Sequence, residues 1–451
     1  MSECIVRFSG NNLKEPLVLN SLVKLLDQAN SKHVLVISSP REIQSLLALG
    51  IKTLSSPGGK PELLIAQIKA EINAIKAIYK LGPSAQLKSQ MEKLEILLKG
   101  IHYTGDFSPA LQDQVLTFAE KISAILVAEI LLSHQIESQT IFPEDLGLIV
   151  TEEFGNATVS ISETAAKVKA AEFGKITLIP GSYGVTKGGK IARIGDRAAD
   201  YTAATLASIF DASHLELWQI GTPFKTADEK YVDNPSYIES LTYAEASELS
   251  YFNYSGIHPR IVEPLVDKHI PILVYELKDG EKILHTRINS KSIIAPQVVK
   301  SVAHTDDIAV LKLNGPGVGF KPGILAKVTG AFNKNHINIR SVITAQTSIN
   351  IMIDKASTAQ VRQLTQELNL PSVSQVEIED KVSLIAIVGH GMQQNHGISA
   401  SLFTAVAKNK INVLLSGSGA SDLVSYLVVD EQDKAKAIQE IHKIFFTKTD
   451  A

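Results

Sequence analysis

Few residues in this chain stand at spacings that would run chemistry by themselves. The twelve histidines are scattered, and none sits at helical spacing from a carboxylate as a metal-ligand pair, so no metal site is expected. His258 reads as structural. Gly58-Gly59-Lys60 lacks the Walker spacing and reads as a turn. The single cysteine, Cys4, can form no internal disulfide, which fits a reducing compartment and excludes a thiolate metal cluster. Other constellations are weak. Arg7 is the next-to-last residue of the apolar run 4–8, which is followed by Ser9-Gly10. An arginine there either binds an anion or caps a strand at the surface. Lys225 and Lys230 share one loop and could hold an anion, although two loop lysines usually form a solvated face.

The 451 residues allow about three folding units. Apolar residues make up 45% and charged ones 20%, ample for a core and ordinary for a soluble protein. The formal net charge is −3 with no basic block, so nucleic acid is not an expected partner. The first ten residues contain Glu3 and Arg7 and no long apolar run, unlike a signal peptide. The apolar stretch 122–132 is broken by Glu129 and is too short to span a bilayer. A cytoplasmic protein without a membrane partner is expected.

The elements that must position these groups follow from the apolar pattern. Residues 4–8 and 33–38 are short runs rich in β-branched residues, the mark of buried parallel strands. Between them 17–28 reads as a helix with Leu19, Leu22, Val23, Leu25 and Leu26 on one face. Residues 61–135 carry apolar residues at helical spacing with few glycines and prolines, predicting three or four helices. Strands are predicted again at 146–150, 176–180, 215–220 and 271–277, with a helix at 198–210. The reading is a three-layer α/β/α domain over 1–285.

The remainder contains a repeat. Residues 322–339 align without gaps on 396–413: Gly323 meets Gly397, Ala331 meets Ala405, and Ile337-Asn338 meets Ile411-Asn412. Each copy reads β-α-β-β-α. The first closes with a strand near 373–379, whereas the second ends in a helix at 441–446. An open sheet edge is a liability, so 298–304 is expected to fill it. The expected division is 286–307 as linker and donated strand, 308–380 as the first unit and 381–451 as the second.

With these stretches read, the chain resembles the aspartokinase family, of the monofunctional type with two C-terminal ACT domains. The resemblance is clearest at YTAATLASIFDA (201–212), LTYAEASELSYF (241–252), IHPRIVEPLVDKHIPILV (257–274) and both repeats. It implies an amino-acid-kinase fold followed by two ferredoxin-like βαββαβ units. It also implies phosphorylation of the L-aspartate side-chain carboxylate by ATP with magnesium, in lysine, threonine and methionine biosynthesis. Such chemistry depends on positioning and on cations and backbone donors around the phosphoryl group.

The motifs that carry this chemistry depart from the family. Its K-F-G-G-T-S opening is here Arg7-Phe8-Ser9-Gly10-Asn11-Asn12. Arg7 keeps the charge but not the compact ammonium, and Ser9 crowds the cradle. Ser38 and Glu120 match substrate-binding positions, the glutamate binding the substrate amine. The alternative is a surface glutamate pairing with Lys121. L-G-R-G-G-S-D-Y is here Ile194-Gly195-Asp196-Arg197-Ala198-Ala199-Asp200-Tyr201. Asp200 is kept as a catalytic position, and the substrate-binding arginine has moved to Arg197. Asp196 would repel the substrate or cap the helix dipole, and Ala198 and Ala199 take up room beside the phosphates. Gly10, Gly181, Gly184, Gly195, Lys225 and Lys230 fall at nucleotide-binding positions, while Gln219, Ile220, Thr222 and Ser255 replace ATP contacts. In the ACT units the effector positions are Gly323, Ile324, Leu325, Ile339, Arg340 and Gln346. Arg340 and Gln346 replace acidic residues of lysine-inhibited members.

Three functions stay open: an aspartokinase of weak or absent activity, a non-catalytic paralogue that regulates an active aspartokinase or senses an amino acid, and a kinase for another small acid, Asp196 suiting a cationic group. A homodimer or larger assembly through the ACT units, and a small amino-acid ligand, are expected in each case.

Overall fold

The computed structural model describes residues 4–54, 58–219, 224–252, 257–290, 298–368, 370, 372–419 and 421–447. The chain divides into two compact units, one of residues 1–224, 237–250 and 255–293, the other of 225–236, 251–254 and 294–451.

The first unit is built on an eight-stranded sheet in the order Gln139–Thr140, Ile176–Pro180, His33–Ile37, Cys4–Phe8, Leu215–Gln219, Ile272–Lys278, Glu281–Asn289 and Ser240–Thr242. The first six strands are parallel to their neighbours, and Glu281–Asn289 runs against Ile272–Lys278. The unbroken apolar runs follow from burial: every residue of His33–Ile37 and Ile176–Pro180 is buried. The crossover helix Pro16–Asp27 starts on proline, whose fixed φ suits a first turn, and turns Leu19, Leu22 and Leu26 inward. Four helices fill the predicted helical region: Pro61–Tyr79, Ala85–Thr104, Pro109–Leu116 and Phe118–Ser133. The last is apolar nearly all round and buried over most of its length, as such a helix must be, yet it carries Glu120 inside.

The run at 146–150 does not form the strand that its composition predicts. Pro143–Leu146 is a short helix, and Gly147 at φ +75° turns the chain away. Ile149 and Val150 make only isolated bridges, to Val185 and Val159. Leu148 and Val150 pack with Val159, Ala192, Ile194 and Tyr201 in a small separate core. The run is apolar because it covers the hairpin of Tyr183–Val185 and Ile191–Arg193.

The second unit holds two four-stranded antiparallel sheets. In one, Ile308–Asn314 lies between Ser348–Asp354 and Gln375–Glu379, with Ile339–Thr344 at the edge. In the other, Val382–Val388 lies between Ser301–Thr305 and Val424–Asp430, with Leu415–Gly417 at the edge. Ser301–Thr305 precedes the whole first sheet in sequence, so the first ββ-paired unit is inserted between one strand of the second and the rest. The helices Ile324–Lys334 and Ile398–Lys408 occupy matching places, each entered through a glycine at positive φ, Gly323 and Gly397. Among the described residues no helix is long and apolar enough to cross a membrane.

Candidate active site

In a parallel sheet, ligands bind beyond the carboxyl ends of the strands. Four neighbouring strands end here with Arg7-Phe8, Ser38-Ser39, Gly181-Ser182 and Gln219 at or just past their last residues. Gly10 locks two of these ends together. Its N–H donates to Ser38 Oγ at 3.1 Å, and a Cβ on it would lie 2.1 Å from the Ser38 carbonyl oxygen and 2.7 Å from Ser123 Oγ. Gly181 is equally constrained, its would-be Cβ 2.5 Å from that of Ala199. Gly184 lies in the hairpin strand Tyr183–Val185.

Glu120 points into this convergence and is 2% exposed. Burial pushes its carboxyl up to about 7, against the pull of the Arg193 guanidinium, of its own N–H and of the Ser182 and Ser39 hydroxyls. Its Oε2 has no hydrogen-bond partner, nor has the buried Ser123 hydroxyl one turn along the same helix. A surface pairing with Lys121 is not what the structure shows. Lys121 is itself buried, pairs with Glu144 at 2.5 Å, and lies over the rings of Phe118, Phe142 and Tyr183. Ser182 holds φ at +71°, a costly conformation for a residue with a side chain that the Gly181 and Ile194 backbone bonds help to fix.

Arg7 is buried and already engaged. Its Nε lies 2.5 Å from Asp200 Oδ1, and its Nη2 donates to Gln219 Oε1 at 3.3 Å. The other oxygen of Asp200 accepts the His258 N–H at 2.7 Å. Burial holds the His258 ring below its ordinary pKa, and its Nδ1 accepts the Arg260 N–H at 3.2 Å, a loop-fixing role. Arg7 is therefore no surface cap. Its charge is neutralised within the protein, and Gln219 takes one edge of the fork that a phosphate would use.

The hairpin loop supplies a residue that sequence reasoning missed. Arg193, 6% exposed, ends the strand Ile191–Arg193. Its N–H donates to Asp113 Oδ2 at 2.7 Å, and the same oxygen accepts the Gly155 N–H at 2.8 Å. Its Nη2 donates to Asp196 Oδ1 at 3.1 Å and to the Gly195 carbonyl at 3.5 Å, while its Nε is buried without a partner. Arg197, at φ +59°, is exposed, and Asp196 is exposed beside it. The buried guanidinium of this loop thus comes from Arg193. The one sequence signal was a charge inside the run Ile191-Ala192-Arg193-Ile194.

The remaining candidates belong to other segments. Lys225 and Lys230 belong to the segment 225–236 of the second unit. There Ser301 Oγ and the Val302 N–H donate to the Lys225 and Thr226 carbonyls, and Lys225 pairs with Glu229. Ile220, Thr222 and Ser255 lie outside the described residues. Arg340, on the edge strand Ile339–Thr344, pairs with Asp354 and, at 3.4 Å, with Asp307. Ile324 is buried, and Gln346 is exposed with its carbonyl accepting the Gly319 N–H at 3.0 Å. Gly323 and Leu325 open the neighbouring helix. Cys4, His214 and Glu216 also approach one another. Lys282, His214 and Trp218 already occupy the Glu216 carboxylate. Burial, then the Glu216 charge, pushes the Cys4 thiol up to about 12, so this cluster is a poor thiolate ligand set.

Residues 3–276 match the amino acid kinase family, and residues 303–364 and 385–445 each match an ACT domain. The chain belongs to the amino acid kinase family. Its arrangement of a kinase domain followed by two ACT domains is that of the aspartokinases, to which it is similar over nearly its whole length. The lysine-sensitive aspartokinase 3 of Escherichia coli is 23% identical over 465 residues, 99% of this chain and 100% of that protein. Aspartokinase 1, chloroplastic, of Arabidopsis thaliana is 25% identical over 467 residues, 99% of this chain and 81% of that protein. The bifunctional aspartokinase/homoserine dehydrogenase of Haemophilus influenzae is 25% identical over 464 residues, 98% of this chain and 56% of that protein. The chain thus spans little more than half the length of such bifunctional relatives. The fold agrees with the crystal structure of E. coli aspartokinase III in complex with aspartate and ADP, at TM-score 0.82 and 23% identity, over 99% of this chain and 100% of that one.

Proposed function

We propose that this chain binds a small amino acid, with L-aspartate the first candidate, through Glu120, and that it transfers a phosphoryl group to it slowly or not at all. The observation that carries the reading is the buried Glu120 carboxylate with an unpartnered oxygen. Such an oxygen costs free energy until a donor reaches it, and a ligand ammonium is the donor that suits it. The E. coli aspartokinase III of similar fold was solved with aspartate and ADP, which supports aspartate as the candidate. Slow transfer follows from Arg7. The transition state needs cations free to take up developing charge, and Arg7 is held by Asp200 and Gln219. ATP with magnesium remains the phosphoryl donor where transfer occurs.

A second reading, a non-catalytic paralogue whose bound amino acid regulates a partner aspartokinase, draws on the same capture of Arg7. The kinase for another small acid loses support, since the Asp196 carboxylate that would attract a cationic substrate is engaged by Arg193. The test is calorimetric titration with L-aspartate, of the wild-type chain and of Glu120→Gln, at pH 8. Binding by the wild type that the variant loses supports the reading, and equal binding by both refutes it.

A further inference from the structure

Two buried charged groups at the strand ends keep an atom without a partner: Glu120 Oε2 and Arg193 Nε. Both side chains are more than nine-tenths buried. Tyr183 links the two: it pairs with Arg193 across the hairpin, and Lys121, the chain neighbour of Glu120, lies over its ring; the guanidinium also draws the Glu120 carboxyl back down. Yet Arg193 pairs with Asp196, and not with Glu120, among the described ion pairs. A buried guanidinium is costly unless its donors are met. Asp196 meets one of them from an exposed position, its side chain 85% exposed, where water competes for it.

From this arrangement we infer that Arg193 is the carboxylate anchor of the amino-acid site, and that Asp196 is an internal carboxylate the ligand must displace from it. The inference rests on the reading of Glu120 as the ammonium site. An amino acid presents an ammonium and a carboxylate on one carbon. The first meets the orphaned oxygen of Glu120 and the second meets the orphaned Nε and adjoining Nη2 of Arg193, a two-donor edge that matches a carboxylate. The side-chain carboxylate of aspartate is then left free, as a phosphoryl acceptor must be. Asp113 and Gly195 act as positioning groups, fixing the Arg193 backbone and one side of its fork. Asp196 does not repel the ligand from the site. It competes with the ligand for one guanidinium, and this competition weakens binding.

The two residues therefore make opposite predictions. L-aspartate titrations of the full-length chain at pH 8 should show Arg193→Gln weakening binding about tenfold or more, the loss expected for charge-assisted hydrogen bonds. Arg193→Lys, which keeps the charge and loses the fork, should fall between. Asp196→Asn, at an exposed position that folding tolerates, should tighten binding about two- to fivefold. In the Arg193→Gln background the Asp196→Asn gain should vanish, because it acts through Arg193. A merely structural Arg193 would not show that coupling. If Arg193→Gln does not fold, the direction of the Asp196→Asn effect decides. Wild-type binding that Arg193→Gln leaves unchanged, or that Asp196→Asn weakens, overturns the anchor assignment alone. No L-aspartate binding by either the wild type or Asp196→Asn overturns the Glu120 reading, and the anchor with it.

Discussion

The two poles of the kinase unit treat their buried charges in opposite ways. At the Arg7 pole, cation and carboxylate meet inside the protein: Asp200 answers Arg7 and the His258 backbone, and Gln219 closes the fork. At the Glu120 pole, one oxygen of a fully buried carboxylate and one nitrogen of a buried guanidinium are left over. A charge paired internally has little left to give a ligand, whereas an orphaned one gains by binding. Under the proposed function, the contrast is that of a site which keeps its amino-acid end and has turned its phosphate end inward.

The largest expected effect comes from removing the orphaned charge. Glu120→Gln should cost L-aspartate affinity on the order of a hundredfold, since it deletes the only carboxylate assigned to the ammonium, an interaction worth about 2–3 kcal/mol. The same change should stabilise the protein at alkaline pH. Glu120 holds its proton more tightly folded, at about 7, than at its ordinary 4.5. Its contribution to stability is therefore fully present below about 4.5 and is lost as pH rises through about 7. The loss is on the order of 3 kcal/mol. Thermal unfolding at pH 5 and pH 8 should show a gap that the variant narrows. An equal gap in both proteins would mean that Glu120 is not strained by burial.

The next effect is a pH profile. Only ionised Glu120 receives an ammonium, so L-aspartate affinity should rise about tenfold between pH 6 and pH 8 and level off above. A flat profile would place the ligand away from Glu120. A smaller effect belongs to the other pole. Arg7→Lys with Ser9→Gly should raise aspartate-dependent turnover more than either change alone, by severalfold, because a compact ammonium frees the cradle while groups at one centre act as a unit. The smallest is in the ACT units. The Arg340 charge is held by Asp354 and Asp307 and supplies no carboxylate for a lysine ammonium, so millimolar lysine should move the melting temperature by no more than about one degree. A clear shift would mean that other residues take the effector.

How much of this was legible in the sequence differs along the same line. The parallel strands were readable because burial on both faces leaves unbroken runs such as His33–Ile37. The repeat was readable because both copies solve one packing problem, with Val328 and Phe332 against one small sheet and Leu402 and Val406 against the other. The run at 146–150 misled because an apolar segment looks alike whether it enters a sheet or covers a hairpin. Glu120 and Asp200 could be found from the resemblance. Arg193 could not, since its burial depends on Asp113, eighty positions earlier, and on a loop whose expected arginine, Arg197, faces solvent. The role expected of Lys225 and Lys230 rested on their place in a motif. Their segment is bonded to Ser301, Val302, Gln439 and His442, far along the chain, which no local pattern reveals.

Whether the amino-acid end is kept while the phosphate end is turned inward is read from steady-state turnover. The assay is aspartate-dependent ADP release by the purified chain with magnesium and ATP, the acyl phosphate being trapped by hydroxylamine. Saturable L-aspartate binding is expected together with turnover well below the roughly 1–100 per second of ordinary kinases. Turnover within that range would mean that Arg7 carries phosphoryl charge despite its bonds to Asp200 and Gln219.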